Sequence, residues 1–191
     1  MNRSLVGTLA LLICSACMQD MPGSSPSGGN NLTGPGTASS SFSTASVPLN
    51  YRAHLSGDNE VPPRETRAQG QAIVQLSRDK TQLDYRLIAS NIENVVASHI
   101  HIGPAGVNGP VVAFLFGAVA PGAGRTDGVL ATGTITGADL VGPLAGQPLS
   151  ALIDAIEAGN TYVNVHTNDG VPPTNTGPGD FPGGEIRGQL R

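Results

Sequence analysis

The sequence predicts an all-β sandwich with one short helix over residues 48–191, and three observations carry that prediction. About eight short stretches alternate apolar and polar residues or run apolar briefly between turn signals. Gly (26 of 191) is about double its average share and Pro (15) about half again as high, so turns are frequent. Charged residues are only 13% of the chain, which opposes a coiled coil.

The elements follow in order. Leu49, Tyr51, Ala53 and Leu55 alternate with Asn50, Arg52 and His54, the period of a half-buried strand with His54 on its surface. Ser56-Gly57-Asp58-Asn59 makes a turn, in which Asp58 and Glu60 read as turn formers or solvated charges. Val61-Pro62-Pro63 cannot enter a central strand. Residues 71–77 and 82–89 form a strand pair joined at Arg78-Asp79-Lys80, and residues 95–102, 110–116, 128–136, 161–167 and 185–190 give five more strands. The helix is marked by Leu149, Leu152, Ile153 and Ile156, with Pro148 near its start and Gly159 past its end, and its role is to cover a sheet end or edge.

The N-terminus reads as an address. Arg3, the apolar run from Leu5 to Ile13 and the small residues before Cys17 form a secretory signal peptide over residues 1–17. Its ending is similar to a bacterial lipobox, with Cys17 as the lipidated residue and Cys14 where Leu is usual. The mature domain then keeps no thiol, which excludes a Cys-based metal or redox site. Residues 18–47, rich in Ser, Thr, Gly and Pro, lack apolar periodicity and form a flexible tether of roughly 30 Å root-mean-square reach. A formal charge of -4 and a single lysine, Lys80, exclude a phosphate-tracking nucleic-acid surface.

Several segments in order resemble the CHRD domain family, named after chordin. They are Leu55-Ser56-Gly57 with Glu60-Val61-Pro62-Pro63, the stretch Ser98-His99-Ile100-His101-Ile102-Gly103, the stretch 106–112, Ala158 to Thr167, and Gly184-Glu185-Ile186-Arg187-Gly188-Gln189-Leu190. The resemblance implies an immunoglobulin-like or superoxide-dismutase-like β-sandwich in an extracytoplasmic place, and implies little about activity. The sequence departs from the family at residues 168–183, where a usually short link becomes a Pro/Gly/Asn loop containing Asp169, Asn175 and Asp180.

Candidate chemistry rests on histidine. His99 and His101 project from one side of a strand, and His166 shares the polar face of another with Tyr162 and Asn164. If the two strands share a sheet, the three imidazoles converge into a site competent for Zn(II), Cu(II) or Fe(II), with Cu or Zn the expected metal. Glu185, alternating onto the face of Arg187 and Gln189, is a candidate fourth ligand or a group that orients one; the competing reading is a cross-strand charge pair involving Arg187. The alternative for the histidines is a solvated polar face that binds nothing. A dismutase is disfavoured, because the further ligands of the copper–zinc enzymes are missing, and no nucleophile elbow, His-Glu-x-x-His or phosphate loop occurs.

The expectation is an envelope-anchored, extracytoplasmic binding or interaction module. Its partners would be the membrane, through the lipid (the outer membrane in a Gram-negative cell), and an extracellular protein or matrix component. Alternatives are a secreted form, a metalloenzyme acting on a small redox substrate at the same site, and a purely structural surface protein.

Overall fold

A computed structural model describes residues 50–191. The segments read from the sequence as a signal peptide (residues 1–17, with Cys17 as the lipidated residue) and as a tether (residues 18–47) lie outside the described residues.

The strands are β1 (Asn50–Ser56), β2 (Gln69–Leu76), β3 (Leu83–Glu93), β4 (Val95–Ile102), β5 (Val111–Gly117), β6 (Arg125–Ile135), β7 (Thr161–Thr167) and β8 (Ile186–Gln189); the helix α1 spans Leu149–Glu157. The chain is mostly β, as expected. All eight strands join one sheet in the order β5-β4-β7-β8-β1-β2-β3-β6, and every pairing is antiparallel. The sheet curves nearly into a barrel, an arrangement broadly consistent with the predicted sandwich. Tyr85 on β3 donates its hydroxyl hydrogen to the Leu115 carbonyl on β5 at 2.7 Å, tying one side of the curve to the other.

The interior follows from alternation. Tyr51, Ala53 and Leu55 of β1 point in, while Asn50, Arg52 and His54 are exposed, and Ala72, Val74 and Leu76 of β2 repeat the pattern. Leu87, Ile100, Val163, Val165 and Ile186 continue the same core. Helix α1 begins at Pro148 and buries Leu149, Leu152, Ile153 and Ile156. Together with Leu140 and Leu144 from the connection before it, this stripe packs into the core cluster. Tyr51 fastens the helix end by donating to Glu157 Oε1 at 3.0 Å.

Strands β7 and β8 depart from half-burial. In β7 every residue except His166 is buried, on both faces. Three connections fold over the outer face of this part of the sheet: residues 57–68, 103–110 and 168–185. They convert a face that alternation alone would leave wet into a second, polar interior.

β8 can lie against β1 because Gly188 has no side chain there: a Cβ would strike the His54 carbonyl oxygen. Gly188→Val is therefore expected to cost about 3 kcal/mol, and Leu152→Ala about 2–5 kcal/mol by opening a cavity under α1. Chemical denaturation monitored by circular dichroism checks both.

Candidate metal centre

Two neighbouring strands build the site. In the β4–β7 ladder His99 stands opposite Asn164, His101 opposite Tyr162 and Ala97 opposite His166. Alternation puts Ala97, His99 and His101 on one face, so His166 lies diagonal to His99 and within reach of it. On the other side of β4 the ladder with β5 shifts register between Ser98 and His99 and again between Ile100 and His101. Such bulges re-aim side chains, and here they flank both β4 histidines. One ring nitrogen from each of His99, His101 and His166 falls within a set no wider than 4.8 Å.

Backbone carbonyls settle the protons. His101 Nδ1 lies 2.8 Å from the Gly109 carbonyl and His166 Nδ1 lies 2.8 Å from the Pro182 carbonyl. A carbonyl only accepts, so each Nδ1 carries the hydrogen and each Nε2 of the neutral ring presents a lone pair. His99 Nδ1 stands 3.1 Å from His166 Nε2 and donates to it in the metal-free protein. His101 Nε2 is buried and has no partner. An orphaned acceptor of this kind costs on the order of 1–3 kcal/mol.

The donor set fits a transition metal. Two nitrogens on a tetrahedral Zn(II) sit about 3.3 Å apart, given bonds of about 2.0–2.1 Å, close to the His99–His166 separation. Transfer of the His99 proton from Nδ1 to Nε2 frees the third lone pair without changing the charge of the ring. The carbonyls of Gly109 and Pro182 hold the other two rings in the ligating tautomer, the usual role of partners behind metal-bound histidines.

Surroundings keep the rings neutral. Burial, then the proximity of His166 and His101, brings the His99 pKa down from 6.5 to about 4. Burial also lowers His101 and His166, outweighing the carbonyls of Gly109 and Pro182, which favour the charged forms. The Tyr162 ring stacks on His101 at 4.7 Å, and exposed Phe114 meets His99 edge-on at 5.0 Å. His99 and His166 keep partial exposure, so the cluster is reached from one side.

Glu185 lies outside the cluster, contrary to its reading as a fourth ligand. Its fully buried carboxylate accepts from Thr66 Oγ1 (2.6 Å), Thr167 Oγ1 (2.7 Å) and the Gly179 backbone N–H (2.8 Å). The cross-strand charge pair involving Arg187 is also absent; among the described residues the ion pair is Arg125–Asp127, on the surface. Arg187 instead stacks on the Tyr162 ring at 3.4 Å and donates to Asn108 Oδ1 and to the carbonyls of Pro104 and Val107. The long 168–185 connection supports the site, since it supplies the Pro182 carbonyl to His166. His54 is exposed on β1, as its alternation predicts.

Sequence reasoning missed Glu60, which is buried and not a solvated turn charge. Burial pushes its carboxyl up to about 7, against the lowering effect of Arg187, the Val61 N–H, Arg64 and Asn164. Gly184, at φ +123°, lies against the carboxyl so closely that a Cβ would strike it. Asn164 lies between Glu60 and His101. Glu60 Oε1 and Asn164 Oδ1 are both buried without a partner. No local pattern marks Glu60, because the segment that buries it comes from the far end of the chain.

The histidines and Glu60 titrate against each other in stability. Folding holds His99 at about 4 against about 6.5 for the free ring, so between those values the unfolded chain binds more protons. Stability is full above about pH 6.5 and falls toward pH 4. Glu60 is raised from 4.5 to about 7 and acts in reverse, removing stability as pH rises through that window. Denaturant midpoints of the metal-free protein should therefore fall less on acidification in a variant with all three histidines changed to Ala. Glu60→Gln should gain on the parent as pH rises from 4.5 to 7.

The family model of the CHRD domain matches residues 51–190 of the chain. No curated protein and no solved structure matches it significantly.

Proposed function

The chain belongs to the CHRD-domain family, and on that premise we propose that it is an extracytoplasmic binding module that takes up Zn(II) or Cu(II) through His99, His101 and His166. One observation carries the reading. His101 Nε2 is buried, stripped of any partner, and held in its ligating tautomer beside two further imidazoles. A satisfied core histidine would have its second nitrogen paired, whereas a ligand waits with a free lone pair.

The placement of the module rests on the sequence. The signal-peptide pattern of residues 1–17, its lipobox-like ending at Cys17 and the Ser/Thr/Gly/Pro-rich composition of residues 18–47 support the reading of a lipid-anchored domain held off a membrane surface, for which the partner we propose is an extracellular protein or matrix component. The secreted form is the alternative.

A second reading has an observation in its favour. With Glu185 engaged elsewhere, the cluster among the described residues offers three ligands, and a three-ligand site leaves a coordination position for water or substrate. That is the requirement of a metalloenzyme acting on a small redox substrate, and equally of a module whose fourth ligand arrives with a partner.

Elemental analysis and calorimetric titration of the purified protein with zinc and copper test the proposal. Near-stoichiometric binding is expected in the parent and none in His101→Ala. Saturating metal at about 100 times Kd should add about 2.7 kcal/mol to stability. Glu185→Gln separates the roles: it should lower stability and leave metal stoichiometry unchanged. Absence of metal after soaking, or equal binding by the parent and His101→Ala, overturns the proposal.

A further inference from the structure

A second site lies on the outer face of β1, β2 and β8. It is a groove of about 880 Å³, floored by outward residues of those strands and walled by the 58–63 segment and the tip of the 103–110 connection. Its size is in the range of small-molecule sites, about 300–1,000 Å³. None of the three histidines of the candidate metal centre lines it.

Its charged side chains are not paired with one another. Arg52 and Arg191 are exposed along the groove, and Arg187 lies buried at its edge. Neither Arg52 nor Arg191 has a carboxylate within ion-pair distance, since among the described residues the ion pair is Arg125–Asp127. His54 and Gln71, paired across β1 and β2, add neutral hydrogen-bonding groups. Opposing charge comes from Asp58 on the rim, from the α-carboxylate of Arg191, an oxygen of which accepts from the Arg52 backbone N–H at 2.8 Å, and from Glu60, whose buried Oε1 has no hydrogen-bond partner.

Two kinds of unmet demand thus share one groove. Unpaired guanidinium groups bind carboxylates in a bidentate fork. A buried carboxyl oxygen left without a hydrogen-bond partner calls for a hydroxyl near it. We infer that this groove binds a hydroxylated carboxylate, the chemistry common to a uronic-acid unit of an acidic polysaccharide and to a free hydroxy acid. The carboxylate pairs with Arg52 and Arg191, and a hydroxyl approaches the Glu60 end. The groove accommodates more than one sugar unit, which favours the polymer as the source.

Calorimetric titration of the full chain with galacturonate and glucuronate, each as monomer and as oligomer, tests the inference; a neutral galactose oligomer serves as control. The expected result is binding of an acidic ligand and none of the neutral oligomer. Binding should be about tenfold weaker in Arg52→Glu and in Arg191→Glu, both exposed positions where the fold tolerates the change. Tighter binding of the oligomer identifies polysaccharide as the source, and equal binding of the monomer identifies a free hydroxy acid. No binding of any acid, equal binding of the neutral oligomer, or unchanged affinity in both variants overturns it.

Discussion

Burying a guanidinium is expensive unless its hydrogens are matched, and Arg187 shows what the matching requires. Three acceptors come from one connection: Asn108 Oδ1 and the carbonyls of Pro104 and Val107. The face of Tyr162 provides a fourth contact, at a spacing where cation–π attraction is effective. In meeting the demands of Arg187, the 103–110 connection is drawn down over the sheet. Its Gly109 carbonyl then reaches His101, and Tyr162, held beneath Arg187, stacks on the same imidazole. The tautomer of a candidate ligand is therefore set by a cation on the neighbouring strand but one.

The cluster runs against the usual economy of a protein interior. Buried acceptors without donors are rare in native structures, yet His101 Nε2, Asn164 Oδ1 and Glu60 Oε1 occur close together along one face. Groups with perturbed protonation gather where they have work to do, and proteins give up stability at such places. The surrounding core of Ile100, Val163, Val165 and Ile186 supplies the rigidity that tolerates the loss.

How much of this was legible depends on the range of the interactions. β4 and β7 occupy the stretches that alternation predicts, and the face shared by His99, His101 and His166 follows from period two. The helix stripe of Leu149, Leu152, Ile153 and Ile156 is equally local. What alternation cannot reveal is what covers the outward face. Tyr162, Asn164 and Arg187 read as polar and surface-directed, yet connections remote in sequence bury them. Glu60 and Glu185 failed for the same reason. A carboxylate looks alike in sequence whether it meets water or, as with Glu185, two threonine hydroxyls and a backbone N–H. Register also lies beyond composition: the diagonal approach of His166 to His99 is fixed by the β4–β7 pairing.

The strand order has a further consequence, for how the domain assembles. β5, β4 and β7 make one part of the sheet and β1, β2, β3 and β6 the other, and β8 joins them although it follows all of them in sequence. Neither part can complete its pairing until the four-residue β8 is in place. Such long-range closure slows folding, because loop entropy is lost before the contacts reward it. Until β8 docks, the edges of β7 and β1 that it will join stay without the partner strand that completes the sheet.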